Sequence, residues 1–443
     1  MRQFLLDGLY TYANVILLGM FAGCVWYVVR LMRCPKDVPW HTTWQHLNQE
    51  HWLFGSWGIQ IRNKVAPWLF YVAIAIYQFE IFFINSLYRT RLPFLYETGT
   101  IVLNHIIALC LLSKILFTTK YSAWQTAVQF CIFFIMRWVF FNNHIQWIMM
   151  GVLFFMAAKD IPLRKALTVC FTVGTASVVV VALSSCVGII DTLYDLETSR
   201  TRNSFGYGWF NYFGACLLGL GLMYVCLRRL HRFKWYDFAV LLALAVFSDL
   251  GPDSRATSIC LFLLVGVLFV MQVAPKFFQL LWVRVLASLA PLVALAASVL
   301  IAMNWDPQSG FMTSLNRILS GRVELSWMAL NEMPFRIAGQ MRSPDMLVDN
   351  AYVQHWILSG PVASLLMWVA FSLLIWRLLA QKHLTEAACC LVILCHGLME
   401  IHITWACVNV MLWLLCGVLY WPKEQPCFAA KSDAKAFKKE KLQ

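Results

Sequence analysis

The residues best suited to chemistry in this chain are arginines, ten of which cluster near the ends of apolar segments. They are Arg89, Arg91, Arg137, Arg200, Arg202, Arg255, Arg317, Arg322, Arg336 and Arg342, and the span order set out below puts them all on one side. A guanidinium is planar, permanently charged and carries a fork of donors, so it grips carboxylates and phosphates in pairs of hydrogen bonds. Arginine without lysine on that side suggests a site for an anion, a diphosphate in particular, rather than a general positive surface. Any one of these arginines is equally well read as a partner of Asp191, Glu197, Asp253 or Glu324, or of lipid headgroups.

Three segments concentrate this chemistry. Arg200-Thr-Arg202-Asn-Ser-Phe-Gly206-Tyr-Gly208-Trp-Phe-Asn211 sets two arginines before the start of an apolar helix, where backbone N–H groups favour anions. Asp249-Leu-Gly-Pro-Asp253-Ser254-Arg255 is a tight turn that puts Arg255 at the head of the next helix, or else is a hairpin closed by its own Asp–Arg pair. A long connection, 304–350, contains Leu315-Asn-Arg-Ile-Leu-Ser-Gly-Arg322 and a helix-period stretch from Val323 to Leu330, and ends on Asp349-Asn350-Ala-Tyr352 ahead of Gly360. The stretch reads as an amphipathic helix at the interface or over a cavity. Asp349 suits a general base raised by partial desolvation, or an N-cap for the helix that follows. Glu80, His105, Lys114, Arg137, His396, Glu400 and His402 fall in or near spans, where ionisable groups are costly and point to function. Arg137 and Glu400 are expected to face one cavity, and Lys114 to snorkel at the opposite end.

Long apolar helices must position these groups. The chain has 443 residues, 60% hydrophobic and 13% charged, with a mean hydropathy of +0.67. A soluble domain carries about a quarter charged residues, so that class is excluded. Runs such as Leu286 to Met303 and Val362 to Ile375 are continuous rather than alternating. Helices, not barrel strands, satisfy the backbone of such runs in lipid. The reading is an all-α integral membrane protein of about 12–14 spans. Thirteen are placed near 9–31, 65–87, 99–118, 123–141, 145–158, 166–190, 208–227, 236–250, 256–273, 281–303, 351–379, 385–402 and 404–421.

Orientation follows the Lys and Arg bias. The tail at 423–443 holds Lys423, Lys431, Lys435, Lys438, Lys439 and Lys441 and is placed in the cytoplasm. Counting back, Arg228, Arg229, Arg232 and Lys234 join it, as do Lys159, Arg164 and Lys165, and all 15 lysines fall on that side. Residues 1–422 then form one transmembrane domain, with 304–350 as a large extracytoplasmic loop. Thirteen spans put the N-terminus outside. The 15 cysteines are scattered without metal-ligand spacing and read as small buried hydrophobes. No cleavable leader pattern is visible, since the run after Arg2 is too long. P-loop, G-x-S-x-G and H-E-x-x-H signatures are missing, as are an Asp-x-Asp pair on the outer side and internal repeats.

The ordered segments resemble the O-antigen polymerase and O-antigen ligase superfamily. The landmarks are Arg202 to Asn211, the Ser254-Arg255 turn, Ser320-Gly321-Arg322 and Asp349-Asn350-Ala-Tyr352 with Gly360, across roughly residues 165–420; the first third matches only in hydropathy. The resemblance implies a GT-C-like bundle in the bacterial cytoplasmic membrane with its active site facing outward. It implies a metal-independent, inverting glycosyltransferase with no cofactor, acting on a glycan carried by polyprenyl diphosphate. The resemblance implies that Arg202, Arg255 and Arg322 bind the diphosphate; taken with the charges near spans, the candidate catalytic residues are Arg202, Arg255 and Asp349, and the candidate substrate-binding residues are Arg200, Arg322, Arg137, Asn350, Tyr352 and Glu400. The ligases carry a His where this chain has Asp349, a departure that favours a polymerase of capsule, exopolysaccharide or O-antigen, and leaves His355 as a second candidate base.

The leading expectation is therefore polymerisation of lipid-linked repeat units. A ligase passing the glycan to lipid, wall or protein is the nearest alternative, and a transporter of an anionic lipid-linked substrate is another. Expected partners are the lipid-linked oligosaccharide and membrane lipid, with a flippase and a chain-length regulator as candidates and no nucleic acid.

Overall fold

The computed structural model describes residues 2–33, 45, 47–53, 59–195, 202–229, 232–333, 335–343 and 347–429, of which 2–10 and 195 are described by backbone alone. Arg200, Glu197 and the tail from Lys431 to Lys441 lie outside the described residues. The apolar runs fold as helices because a helix pairs its own N–H and C=O groups and leaves only side chains to meet lipid. In chain order these are α1 (Arg2–Met32), α2 (Ile59–Phe79), α3 (Thr100–Phe117), α4 (Ala123–Asn143), α5 (Gln146–Ala157), α6 (Leu163–Cys186) and α7 (Phe210–Arg228). There follow α8 (Trp235–Leu250), α9 (Arg255–Val273), α10 (Leu281–Met303), α11 (Gly310–Ile318), α12 (Arg322–Glu332), α13 (Ala351–Leu358), α14 (Gly360–Ala380) and α15 (Leu384–His396).

Nine helices among the described residues are long and apolar enough to cross a membrane, so the chain is a multi-pass helical membrane protein by length and composition. They are α1 to α4, α6, α7, α9, α10 and α14, with α2 and α3 lengthened at one end by the π-turns Glu80–Ile84 and Leu95–Gly99. The other four expected spans are shorter. The expected spans 145–158 and 236–250 are α5 and α8, of 12 and 16 residues, and even the longer covers only about 24 Å at 1.5 Å per residue. The expected spans 385–402 and 404–421 break up: α15 stops at His396, turns and a 3-10 turn at His402–Thr404 follow, and helix resumes through Val410–Tyr420. Continuous hydropathy concealed this break because most of the segment is buried against protein, where irregular backbone is tolerated at membrane depth.

Pairs of helices sequential in the chain pack together, α8 with α9 and α2 with α3. The bundle is closed by long-range pairs: α10 along α14, α9 along α15, α2 along α6 and α1 along α4. The connections sort into two ends. At one end Arg164 donates to the carbonyls of Leu227 and Phe428, Arg377 donates to those of Gly417 and Pro422, and Arg229 pairs with Glu386. At the other, Leu87 N–H meets Gly206, Asn143 donates to Leu358 O, and Ala351 N–H meets Gly397. This alternation matches the expected parity of every connection involved. Lys114 departs from expectation. Its side chain is buried and donates to Thr119 Oγ1 and Lys159 O instead of snorkelling, so the buried ammonium is not left unpaired.

The 304–350 connection folds as two helices, α11 and α12, and α12 packs against α10 through buried Val323, Ser326 and Ala329. Its far end is pinned by two glycines. Gly339 and Gly360 have φ of +74° and +76°, and a Cβ on either would come 2.0 Å from a carbonyl oxygen, of Leu358 and Ile337 respectively. Only glycine permits both the left-handed backbone and that approach.

Candidate functional site

The site is assembled from four places in the chain. A short hairpin pairs Tyr194–Asp195 with Arg202–Asn203 just before α7. Ser204 bonds the Leu193 backbone, and the Asn203 side chain takes the Phe205 N–H, so Arg202 is fixed ahead of the helix. Its guanidinium lies over the Phe210 ring and donates to Asn211 Oδ1 at 3.0 Å. The second place is the start of α12. Gly321 adopts φ +84°, and the Asn316 side chain accepts from Val323 and Glu324 N–H, capping the helix and aiming Arg322 inward.

Glu400 joins these two. Its Oε1 accepts from Asn211 Nδ2 at 2.8 Å and from Arg322 Nη2 at 2.7 Å. Arg322 also donates to the carbonyls of Met399 and Leu319, and its Nη2 stands 4.0 Å from Asp349 Oδ2. The side chains of Arg322 and Glu400 are 11% and 6% exposed, that of Asp349 40%, so one carboxylate is buried in the cluster and the other is exposed at its edge. Burial pushes the Glu400 carboxyl up to about 7, with Arg322 and Arg202 pulling it down and Asp349 pushing it up. The arrangement can hold an anion: Arg202 keeps a buried Nε without a partner, and Arg322 is shared between two acids.

Asp349 is not the cap of α13. Asn350 is, accepting from Tyr352 and Val353 N–H, which leaves the Asp349 carboxylate for other work. Asn350 Nδ2 donates to Ser298, and Tyr352 is buried, stacked on Trp368 and bonded to Leu394 O. Both therefore shape the site more than they offer polar atoms to a ligand. His355, the alternative base, is buried with Nδ1 against Ser359 and lines an apolar cavity deeper in the bundle. Arg255 heads α9 as expected, but it is half-exposed and pairs at 3.8 Å with Asp253 of its own turn. Arg137 is also not in the cluster: its Nε bonds Asn14 of α1 at 2.6 Å, tying two helices. Arg91 pairs with Asp191.

One hollow reaches the cluster, and a second lies beside the start of α7. An apolar groove of about 510 Å³ runs between α10, α12 and α15, lined by residues such as Val293, Ile301 and Leu394, with Arg322 and Asn350 on its wall. A second hollow, of about 580 Å³, is lined by Trp209 and Tyr212 on either side of Asn211, and by Glu80, Asn104, Trp147 and Trp405. Asn211 and this second hollow were not identified as site residues from sequence. The one available signal is position, since Asn211 lies in the first turn of an apolar helix, at the end of the arginine-bearing segment. No protein-family model, curated protein or solved structure matches the chain.

Proposed function

We propose that this chain is an inverting glycosyltransferase that lengthens a repeat-unit polysaccharide on polyprenyl diphosphate, at the outer face of the bacterial cytoplasmic membrane. The observation that carries the reading is the convergence on Glu400 of Arg322, directly, and of Arg202, through Asn211, beside an apolar groove that has Arg322 on its wall. A prenyl chain suits the groove and a diphosphate suits the arginines. The same parity that puts these arginines at one end puts the described lysine-bearing turns at the other, which supports an outward site.

In this reading the acceptor hydroxyl attacks the anomeric carbon as the bond to the diphosphate breaks, and the electron pair of that bond leaves with the diphosphate. Charge on the leaving oxygen grows through the transition state, where fixed guanidinium donors in a dry site act most strongly. Asp349, open to the outside and 4.0 Å from Arg322, takes the proton of the attacking hydroxyl. Attack opposite the leaving group inverts the anomeric centre. Arg255, half-exposed at the head of α9, contributes to drawing the anion to this end.

The test is reconstitution of the purified protein in liposomes with lipid-linked repeat units. A ladder of glycans still on the carrier is expected. Glycan moved to a different acceptor would replace this reading with the ligase, and carrier crossing the bilayer without a new glycosidic bond would replace it with the transporter.

A further inference from the structure

The second hollow has a chemistry of its own. Glu80, on the π-turn that extends α2, gives one oxygen to Asn104 Nδ2 at 2.6 Å, while its other oxygen is buried without a partner. Tyr77, Trp147 and Trp405 line the same hollow, and the Tyr77 Oη and both indole N–H groups are also buried without partners. Four unpaired polar groups around one hollow are an unusual cost, roughly 1–3 kcal/mol each, and they are of mixed kind: donors, an acceptor and a hydroxyl. The second π-turn, at Leu95–Gly99, adds Tyr96 and Glu97 to the wall, and π-turns are frequent at functional sites.

Two carboxylates against the single cation Arg89 make the space unsuited to a phosphate. Broad aromatic faces, from Trp209, Tyr212 and Trp405, suit a flat apolar surface. A ligand that has both C–H faces and a rim of hydroxyls meets all these demands. We infer that this hollow is a saccharide-binding site, in which one or two sugar rings stack on Trp209 and Tyr212 and hydrogen-bond to Glu80, Trp147 and Trp405. Asn211 stands between Trp209 and Tyr212 in sequence and bonds Arg202 and Glu400. The hollow and the arginine cluster therefore share the first turn of α7. Resting on the transferase reading, this makes it the acceptor's site: the donor's diphosphate takes the arginines and the acceptor glycan the aromatic hollow.

The test is binding, separate from turnover. Intact protein in a sugar-free amphipol is applied to an array of bacterial oligosaccharides of two to six residues, and the best binder is titrated calorimetrically. Trp209 is 69% exposed, so Trp209→Ala leaves the fold intact, and Glu80→Gln keeps the shape while removing the acceptor. Both should weaken glycan binding at least tenfold, and Arg322→Lys should leave it unchanged. Failure of wild type to bind any array member, wild-type affinity in both hollow variants, or a loss seen only in Arg322→Lys would overturn the inference. Retained glycan binding beside a failed polymer assay would sink the transferase reading alone.

Discussion

Arg322 and Glu400 are 78 residues apart in the chain, yet Arg322 Nη2 and Glu400 Oε1 are 2.7 Å apart and both side chains are nearly buried. The pair joins the start of an amphipathic helix to the broken stretch after α15. A buried pair of this kind stabilises little against an apolar replacement, but removing one partner strands the other charge, at about 3–5 kcal/mol. Glu400→Ala should therefore lower the thermal midpoint of the purified protein clearly, and the double variant Arg322→Met/Glu400→Leu should recover most of the loss. Additive losses in the double variant would mean the pair is not coupled.

The same pair predicts a pH dependence. The Glu400 carboxyl is raised to about 7 by burial, so it is protonated below that pH and charged above it. When protonated it no longer neutralises Arg322, and an anion competes more easily for the guanidinium. Binding of inorganic pyrophosphate should therefore tighten about tenfold, worth ~1.4 kcal/mol, as pH falls from 8 to 6. Glu400→Gln should bind tightly at both values. An unchanged slope in Glu400→Gln would assign the dependence to another group.

Arg202→Lys and Arg322→Lys keep the charge and lose the fork. Each should reduce polymer formation by about 10²-fold or more, the cost of one oriented donor to a developing anion, with normal amounts of protein in the membrane. Quantifying lipid-linked polymer against membrane protein checks this. Arg137→Lys serves as the comparison, since Arg137 ties α4 to α1 through Asn14, and it should retain polymer.

Asp349→Asn should cut turnover by about 10²–10⁴-fold, the range for a general base, and spare pyrophosphate binding. Full activity would remove Asp349 from proton transfer. Because Asn350 makes the cap, loss of activity in this variant is not explained by loss of the helix start.

Gly339→Ala and Gly360→Ala each place a Cβ 2.0 Å from a carbonyl oxygen at positive φ, a strain of at least about 1–3 kcal/mol. Both should lower the thermal midpoint, whereas Gly266→Ala, with nothing within 4 Å, should be neutral or stabilising by up to ~1 kcal/mol. Equal midpoints for all three would contradict the pinned junction.

Much of this arrangement is written in the chain as local pattern. The long apolar runs define α10 and α14 directly, and lysine bias sorted the connections into the two ends that the contacts bring together. Arg202, Arg322, Asp349 and Glu400 were each suspect as charges beside spans, and they do converge. Asp349 and Asn350 are adjacent and equally good caps by type, so only the backbone geometry separates their roles. Arg137 and Glu400 are expected at the same end, but rotation about α4 turns Arg137 to Asn14 and the break after α15 turns Glu400 to Arg322, and hydropathy carries neither. The aromatic hollow draws on five separate stretches from Tyr77 to Trp405, a set with no linear signature.

The most direct test of the central claim is the length of lipid-linked glycan in a strain deleted for this protein and complemented with wild type, Arg202→Lys or Arg322→Lys. The account predicts a ladder on the carrier with wild type, and single repeat units with the deletion and with both variants. A wild-type ladder in the two lysine variants, present in the membrane at normal level, would contradict the assignment of Arg202 and Arg322 to the leaving diphosphate.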